Sequence, residues 1–233
     1  MQFWSIVPAA GVGLRMGGVL PKQYLKLGKQ TIIEHTLNRL RNQSLISGVV
    51  LVISPADQHW QQIQLPECAT PLWITDGGAE RCHSVLNGLN KLQDFASDDD
   101  WVLVHDAARP CLRSEDINKL IENLQFHAVG GLLGLPVADT IKKVDEDGVI
   151  INTVDRRALW RALTPQMFRL GLLRDALTHA LSAEYMVTDE ASAVEFHGYR
   201  PLMIEGSADN IKITHPNDLS LAETFLQQQG HIL

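Results

Sequence analysis

The 233-residue sequence contains only three cysteines, Cys68, Cys82 and Cys111, widely separated and odd in number. They make neither a CxxC pair nor a disulfide framework, and such usage suits a reducing compartment. No apolar run reaches the ~20 residues that a bilayer-crossing helix needs. The stretch Met1 to Val7 carries no basic cluster and runs straight into Pro8-Ala9-Ala10-Gly11, so it is not expected to act as a signal peptide. A cytoplasmic protein without membrane association is the expectation. A basic excess is also missing: 20 Lys and Arg stand against 27 Asp and Glu, a formal net charge of -7. That balance argues against general nucleic-acid binding. Two common phosphate motifs are absent too. Met16 occupies the third glycine position of G-x-G-x-x-G, no strand ending in an acidic residue follows about 20 residues on, and no G-x-x-x-x-G-K-[ST] occurs.

What is present is a repeated strand, loop and helix. Apolar runs at Phe3 to Val7, Val49 to Ile53, Pro71 to Thr75, Trp101 to Val104, Val129 to Leu135 and Leu202 to Ile204 read as strands. Helices are expected at Thr31 to Leu40, where Thr31 and Glu34 form a capping box, and at Arg81 to Leu92. Others are expected at Ser114 to Leu124 with Ser114 as cap, Arg169 to Leu181, Thr188 to Phe196 and after Pro216. Continuous apolar strands alternating with amphipathic helices predict an α/β fold: a Rossmann-like, mainly parallel twisted sheet with helices on both faces. Residues 1–233 read as a single domain.

One segment breaks the rhythm. Thr140 to Val154 reads as two extended pieces around Asp147-Gly148, a hairpin signal. A lone hairpin is marginal in water, so Ile141, Val149, Ile150 and Ile151 need a surface to cover them. We expect residues 137–157 to form a protruding arm that packs in a homodimer; the alternative is a hairpin folded back on its own domain.

The loop Pro8 to Met16 follows the first strand, where small residues let backbone N–H groups approach an anion. Alone it could simply close a strand. Arg15 within it and Lys22 just beyond it add cations suited to a phosphate site, although most Lys and Arg are solvated. Asp106 at a strand end suits a metal ligand or a helix cap, and Asp209 could add a second metal contact. His105 reads as a histidine bonded to backbone, Asp189 and Glu190 as helix-start carboxylates, and Cys82 as packing.

An ordered set of motifs makes the pattern specific: VPAAGVGLRM (Val7 to Met16), PKQY (Pro21 to Tyr24), DGGAERCHSV (Asp76 to Val85) and VHDAARP (Val104 to Pro110). PVADT (Pro136 to Thr140), TVDR (Thr153 to Arg156), LTPQ (Leu163 to Gln166), TDEASA (Thr188 to Ala193) and ADNIKIT (Ala208 to Thr214) follow. Along essentially the whole chain the sequence resembles the 2-C-methyl-D-erythritol 4-phosphate cytidylyltransferase family of non-mevalonate isoprenoid biosynthesis. The resemblance implies transfer of CMP from CTP to that polyol phosphate, with Mg²⁺ as cofactor. Arg15, Lys22, Arg156 and Lys212 would be the catalytic cations. Pro8, Ala9, Ala10, Gly11, Gly13, Gly78, Arg81, Ser84 and Ala107 would bind the nucleotide. Asp106, Arg109, Thr140, Arg156, Thr164, Thr188 and Lys212 would bind the acceptor, Thr140 and Arg156 acting from the arm across a dimer interface, and Asp106 and Asp209 would face the metal. A ribitol-5-phosphate cytidylyltransferase and a non-catalytic nucleotide-binding regulator are the alternatives.

Overall fold

The computed structural model describes residues 1–11 and 20–230. In chain order, β1 (Phe3–Pro8) leads to a 3-10 turn at Lys22–Tyr24, the short ribbon β2 (Lys26–Leu27) and β3 (Gln30–Thr31), and helix α1 (Ile32–Arg41). Next come β4 (Ile46–Ile53), β5 (Leu72–Asp76), α2 (Arg81–Leu92), β6 (Trp101–Val104), α3 (Ser114–Leu124) and β7 (Gly130–Pro136). The chain continues through β8 (Ile141–Val144), β9 (Ile150–Val154), β10 (Trp160–Arg169), α4 (Leu170–Ser182), α5 (Glu190–Phe196), β11 (Leu202–Glu205) and α6 (Asn217–Gln228). Among the described residues, no helix is long and apolar enough to cross a membrane.

Seven strands form one sheet in the order β11-β7-β10-β6-β1-β4-β5. Only β10 runs against the rest, pairing antiparallel with both β6 and β7. The sheet is therefore mainly parallel, as the sequence indicates. Its strands read as unbroken apolar runs because both faces are covered. Trp101 and Leu103 of β6 pack with Ile33, Leu37 and Leu40 of α1 and Ile117, Leu120 and Leu124 of α3. Val102 and Val104, pointing the other way, pack with Val85 and Leu89 of α2 and Leu173 and Leu177 of α4. Each of these fully buried aliphatic side chains contributes about 1.5–3 kcal/mol. A smaller cluster joins Leu27 of the ribbon to Ala222 and Leu226 of α6.

Local signals behave as elementary chemistry dictates, with two corrections. The Thr31 hydroxyl accepts from the Glu34 amide while the Glu34 carboxylate accepts from the Thr31 amide, closing the expected capping box. Ser114, by contrast, is the first helical residue of α3, and Arg113 at the cap position makes no side-chain cap. The second correction is β10, which the sequence does not announce. Pro165 lies in its middle and cannot donate to a ladder. The structure tolerates it through an irregularity: the register with β7 slips between Ala162 and Gln166, so Pro165 falls where no pairing is needed.

The hairpin β8-β9 forms its own two-stranded sheet. Its turn is longer than Asp147-Gly148 alone: Asp145 accepts backbone N–H bonds from Asp147 and Val149, and Gly148 takes the left-handed conformation with φ of 80°. Val149, Ile150 and Ile151 are each more than half exposed (62%, 58% and 57%), so the hairpin does not bury them against its own domain.

Asp100 ties together the starts of the neighbouring central strands β6 and β1. Its buried carboxylate accepts from the amides of Gln2 (2.8 Å) and Ser97 (3.1 Å) and from the Trp4 indole (3.4 Å). Burial opposes its charge, but these donors outweigh that and lower its pKa. Asp100→Ala is expected to cost about 1–3 kcal/mol of stability near neutral pH, measured by denaturant unfolding. A carboxyl depressed in the folded state contributes fully above the unfolded aspartate value of about 3.9 and loses that contribution as pH falls through the folded value. The gap between wild type and variant should therefore narrow in acid; a gap unchanged down to the acid transition would refute the assignment.

Candidate active site

Strand β1 leads through α1 to β4, towards one edge of the sheet, whereas β6 leads through α3 to β7, towards the other edge. This reversal between neighbouring parallel strands opens a crevice beyond their carboxyl ends, where ligands of such sheets sit. A cleft of about 270 Å³ lies there. Its floor is the chain leaving β1, Pro8 to Gly11, and the chain leaving β6, Asp106 to Ala108. Gly78 to Arg81 and Ser84 form one wall, and Lys22 and Lys212 enter from the others.

Small residues and a few side-chain anchors shape these walls. The Gln23 amide donates to the carbonyls of Ala9 (2.8 Å) and Gly11 (3.3 Å), fastening the start of the loop after β1. At Gly77 a Cβ would meet that of Ala10 at 2.4 Å, so only glycine allows this approach of the β5 and β1 ends. The Ser84 hydroxyl donates to the Glu80 carbonyl and accepts from the Gly78 amide, both at 3.1 Å. Lys22 reaches over this floor and donates to the Ile213 carbonyl at 2.9 Å.

Charge in the cleft is organised around Asp106. One carboxylate oxygen accepts from Arg81 Nε at 3.0 Å; the other meets Lys212 Nζ at 2.9 Å and, more distantly, Arg109 Nε at 3.5 Å. Burial works against ionisation, yet Arg81, Lys212 and Arg109 together hold the carboxyl far below the usual range. Arg81 opens α2, an end of a helix that disfavours cations. Glu190, the first residue of α5 and buried, answers with a two-pronged contact at 2.6 and 3.1 Å. Burial and the helix end both oppose the Arg81 cation, but Glu190 and Asp106 keep it protonated.

A chain of hydrogen bonds beneath Asp106 fixes its backbone. The Arg109 carbonyl can only accept, so His105 donates to it from Nε2 (3.0 Å). His105 Nδ1 is then the acceptor for the Thr164 hydroxyl (3.0 Å), whose oxygen accepts from the Asp106 amide (3.1 Å). His105 is fully buried, which lowers its pKa to about 4 and keeps it neutral at ordinary pH. It holds the turn and takes no part in chemistry at the cleft.

The residues singled out from sequence divide in space. Pro8, Ala9, Ala10, Gly11, Lys22, Gly78, Arg81, Ser84, Asp106, Ala107 and Lys212 converge on the cleft. Gly13 and Arg15 lie outside the described residues. Thr164 is buried with its hydroxyl committed to His105 and Asp106, so it positions the site from below. Arg109 points inward, donating to the Asn210 carbonyl at 2.7 Å. Asp209 turns away: one of its oxygens is held by Arg113 and Gln229, the other is enclosed, and neither lines the cleft. Thr188 is exposed just before α5, and Thr140 and Arg156 are exposed at the roots of the hairpin, outside their own chain's cleft. Gln23 and Glu80 line the cleft without having been singled out. Only their place inside PKQY and DGGAER signalled them, and Glu190 read as a helix-start residue rather than as the partner of Arg81.

Comparison with known proteins gives the same picture. Residues 3–228 match the family model for 2-C-methyl-D-erythritol 4-phosphate cytidylyltransferase. The chain belongs to that family. The cytidylyltransferase of Hahella chejuensis is 52% identical, over 97% of this chain and 94% of that protein, and that of Pseudomonas aeruginosa is 50% identical, over 93% of each. A crystal structure of a 4-diphosphocytidyl-2C-methyl-D-erythritol synthase, 40% identical, superimposes with a TM-score of 0.83 over 97% of this chain and 99% of that one. The Francisella tularensis cytidylyltransferase, 36% identical, superimposes with a TM-score of 0.82 over 97% and 100%. Members of this family are nucleotidyltransferases, and the chain is an enzyme of that class.

Thr164 offers a direct check on the network under this cytidylyltransferase site. Thr164→Val keeps the shape but leaves the Asp106 amide and His105 Nδ1 unpaired, with an expected loss of about 1–3 kcal/mol in unfolding experiments. Thr164→Ser, which restores the hydroxyl, should recover most of it. Equal stability of the Val and Ser variants would show that the hydroxyl has no such role.

Proposed function

We propose that this chain transfers CMP from CTP to 2-C-methyl-D-erythritol 4-phosphate, giving 4-diphosphocytidyl-2-C-methyl-D-erythritol and pyrophosphate for isoprenoid biosynthesis. The observation that carries the reading is the convergence of Lys22 and Lys212 on one cleft with Asp106, at the ends of β1 and β6. An acceptor phosphate oxygen attacks the α-phosphorus; that P–O bond forms as the bond to the β-phosphate oxygen breaks, and the electron pair leaves with pyrophosphate. The nucleophile is already anionic, so no general base is needed. The obstacle is repulsion: like unit charges 4 Å apart cost about 4 kcal/mol at an effective dielectric near 20. Lys22 and Lys212 offset that repulsion and the charge that develops on the leaving group. Arg15 joins them on the sequence motif alone.

The cleft suits Mg²⁺. Asp106 offers an ionised oxygen donor facing the site, and Mg²⁺ bound with substrate phosphates needs only one or two protein carboxylates. Once bound, the ion would neutralise part of the triphosphate charge. Ala9, Ala10, Gly11, Gly78, Arg81 and Ser84 would hold the nucleotide, with Arg81 kept in place by Glu190.

The arm completes the reading. Thr140 and Arg156 stand exposed at its base, while Val149, Ile150 and Ile151 lie bare along it. A second copy covering these apolar residues would bring Arg156 to the neighbour's cleft, where its cation suits the acceptor phosphate. The enzyme is then a homodimer with shared sites. Three unpaired cysteines fit a cytoplasmic setting.

Pyrophosphate release from CTP with methylerythritol phosphate, with ribitol 5-phosphate and the other nucleoside triphosphates as controls, tests the activity. Lys22→Ala and Lys212→Ala should each lower turnover by roughly 10²–10³. Near-normal turnover in both would remove the basis of the proposal. For the shared site, Lys22→Ala and Arg156→Ala protomers mixed into verified heterodimers should regain activity that neither homodimer has. Absence of any recovery would confine each site to one chain.

A further inference from the structure

We propose that Glu80, Cys82 and His83 form a site for a soft divalent cation of the zinc class, separate from the oxygen-donor position at Asp106. One ligand atom from each residue lies within 4.8 Å of the others. Cys82 Sγ stands 3.7 Å from a Glu80 carboxylate oxygen and 3.7 Å from His83 Nδ1. Bonds of about 2.3 Å to sulfur and about 2.0–2.2 Å to nitrogen and oxygen set neighbouring ligands of a tetrahedron roughly 3.4–3.6 Å apart. Two edges of that figure are therefore nearly formed, and only the Glu80–His83 edge has to close.

Three further features support the site. Glu80 holds the N-cap position of α2, yet its carboxylate makes no capping bond and turns to the Cys82 thiol instead. The backbone carrying the donors is braced, because Ser84 bonds both the Glu80 carbonyl and the Gly78 amide, and Gly78 packs directly on His83. Thiolate and imidazole select zinc-like ions over magnesium, and three protein ligands leave a fourth position open. Binding releases the thiol proton to solvent as the sulfur–metal bond forms. Because that proton must leave, affinity should grow with pH. Glu80 also lines the cleft, so a filled site would set a dication on the wall facing the nucleotide.

Cobalt(II) titration of the full-length protein in excess Mg²⁺ tests this without relying on turnover, so its outcome is separable from that of the proposed reaction. The expected result is a one-to-one complex with a thiolate-to-cobalt charge-transfer band in the near ultraviolet, displaced by zinc. Cys82→Ser should abolish the band, and His83→Gln, on a half-buried side chain, should weaken binding roughly tenfold or more. Cys68→Ser should leave the band intact, and thermal melting of the metal-free variants establishes that they are folded. The site is refuted if no thiolate band forms, if Mg²⁺ suppresses it, or if it follows Cys68 instead of Cys82.

Discussion

A buried carboxylate surrounded by cations governs the cleft. Asp106 stays ionised with so little water around it because Arg81, Lys212 and Arg109 supply compensating charge. Each of those cations comes from a different part of the chain: the start of α2, the segment after β11, and the turn after β6. One side chain thus fixes the relative positions of three segments that are remote in sequence. Glu190 extends the arrangement to α5 through Arg81. Removing one partner from such a cluster leaves an uncompensated buried charge, which costs more than the intact pair contributes.

This arrangement reconciles an acidic protein with an anionic substrate. The formal charge of -7 gives no overall attraction for a triphosphate. Locally, three acidic side chains, Asp106, Glu190 and Glu80, stand against the four cations Arg81, Arg109, Lys212 and Lys22, so the formal charge around the cleft keeps a positive excess. The anions gather the cations at a spacing that mutual repulsion would otherwise forbid. Gln23, Gly77 and Ser84 do the same for backbone, holding the small-residue loops close together at the site.

Much of this was legible in the sequence because the strands are buried on both faces and the helices are amphipathic. The α2 boundaries, the Thr31 capping box and the apolar run of β6 are local signals, and local chemistry decides them. Strand β10 was not legible: Pro165 contradicts a central strand unless one knows that the register slips beside it. The site shows the same division. Asp106 and Lys212 could be placed by motif, through VHDAARP and ADNIKIT. The inward turn of Arg109, the commitment of Thr164 to His105, and the attachment of Asp209 to Arg113 depend on contacts across 59 to 101 residues of chain. No spacing rule encodes such contacts. Glu190 reads as an ordinary helix-start carboxylate until Arg81 is seen against it.

The cations around Asp106 are not equivalent, and the difference bears on how the cleft can respond to a ligand. Arg81 is held by two carboxylates through three contacts and sits over the end of a helix that repels it, so its place depends on both acids. Arg109 is buried and bonded to a backbone carbonyl, which fixes it from the other side. Lys212 meets Asp106 through a single ammonium on a flexible stem and keeps about a third of its side chain in solvent, 37% exposed. Solvent screening at the lysine end weakens this pair relative to the multiple contacts that hold the two arginines. Lys212 is therefore the partner that an incoming phosphate can draw away at least cost, while Arg81 and Arg109 continue to hold Asp106 ionised. The same pairing that assembles the site leaves one cation exchangeable.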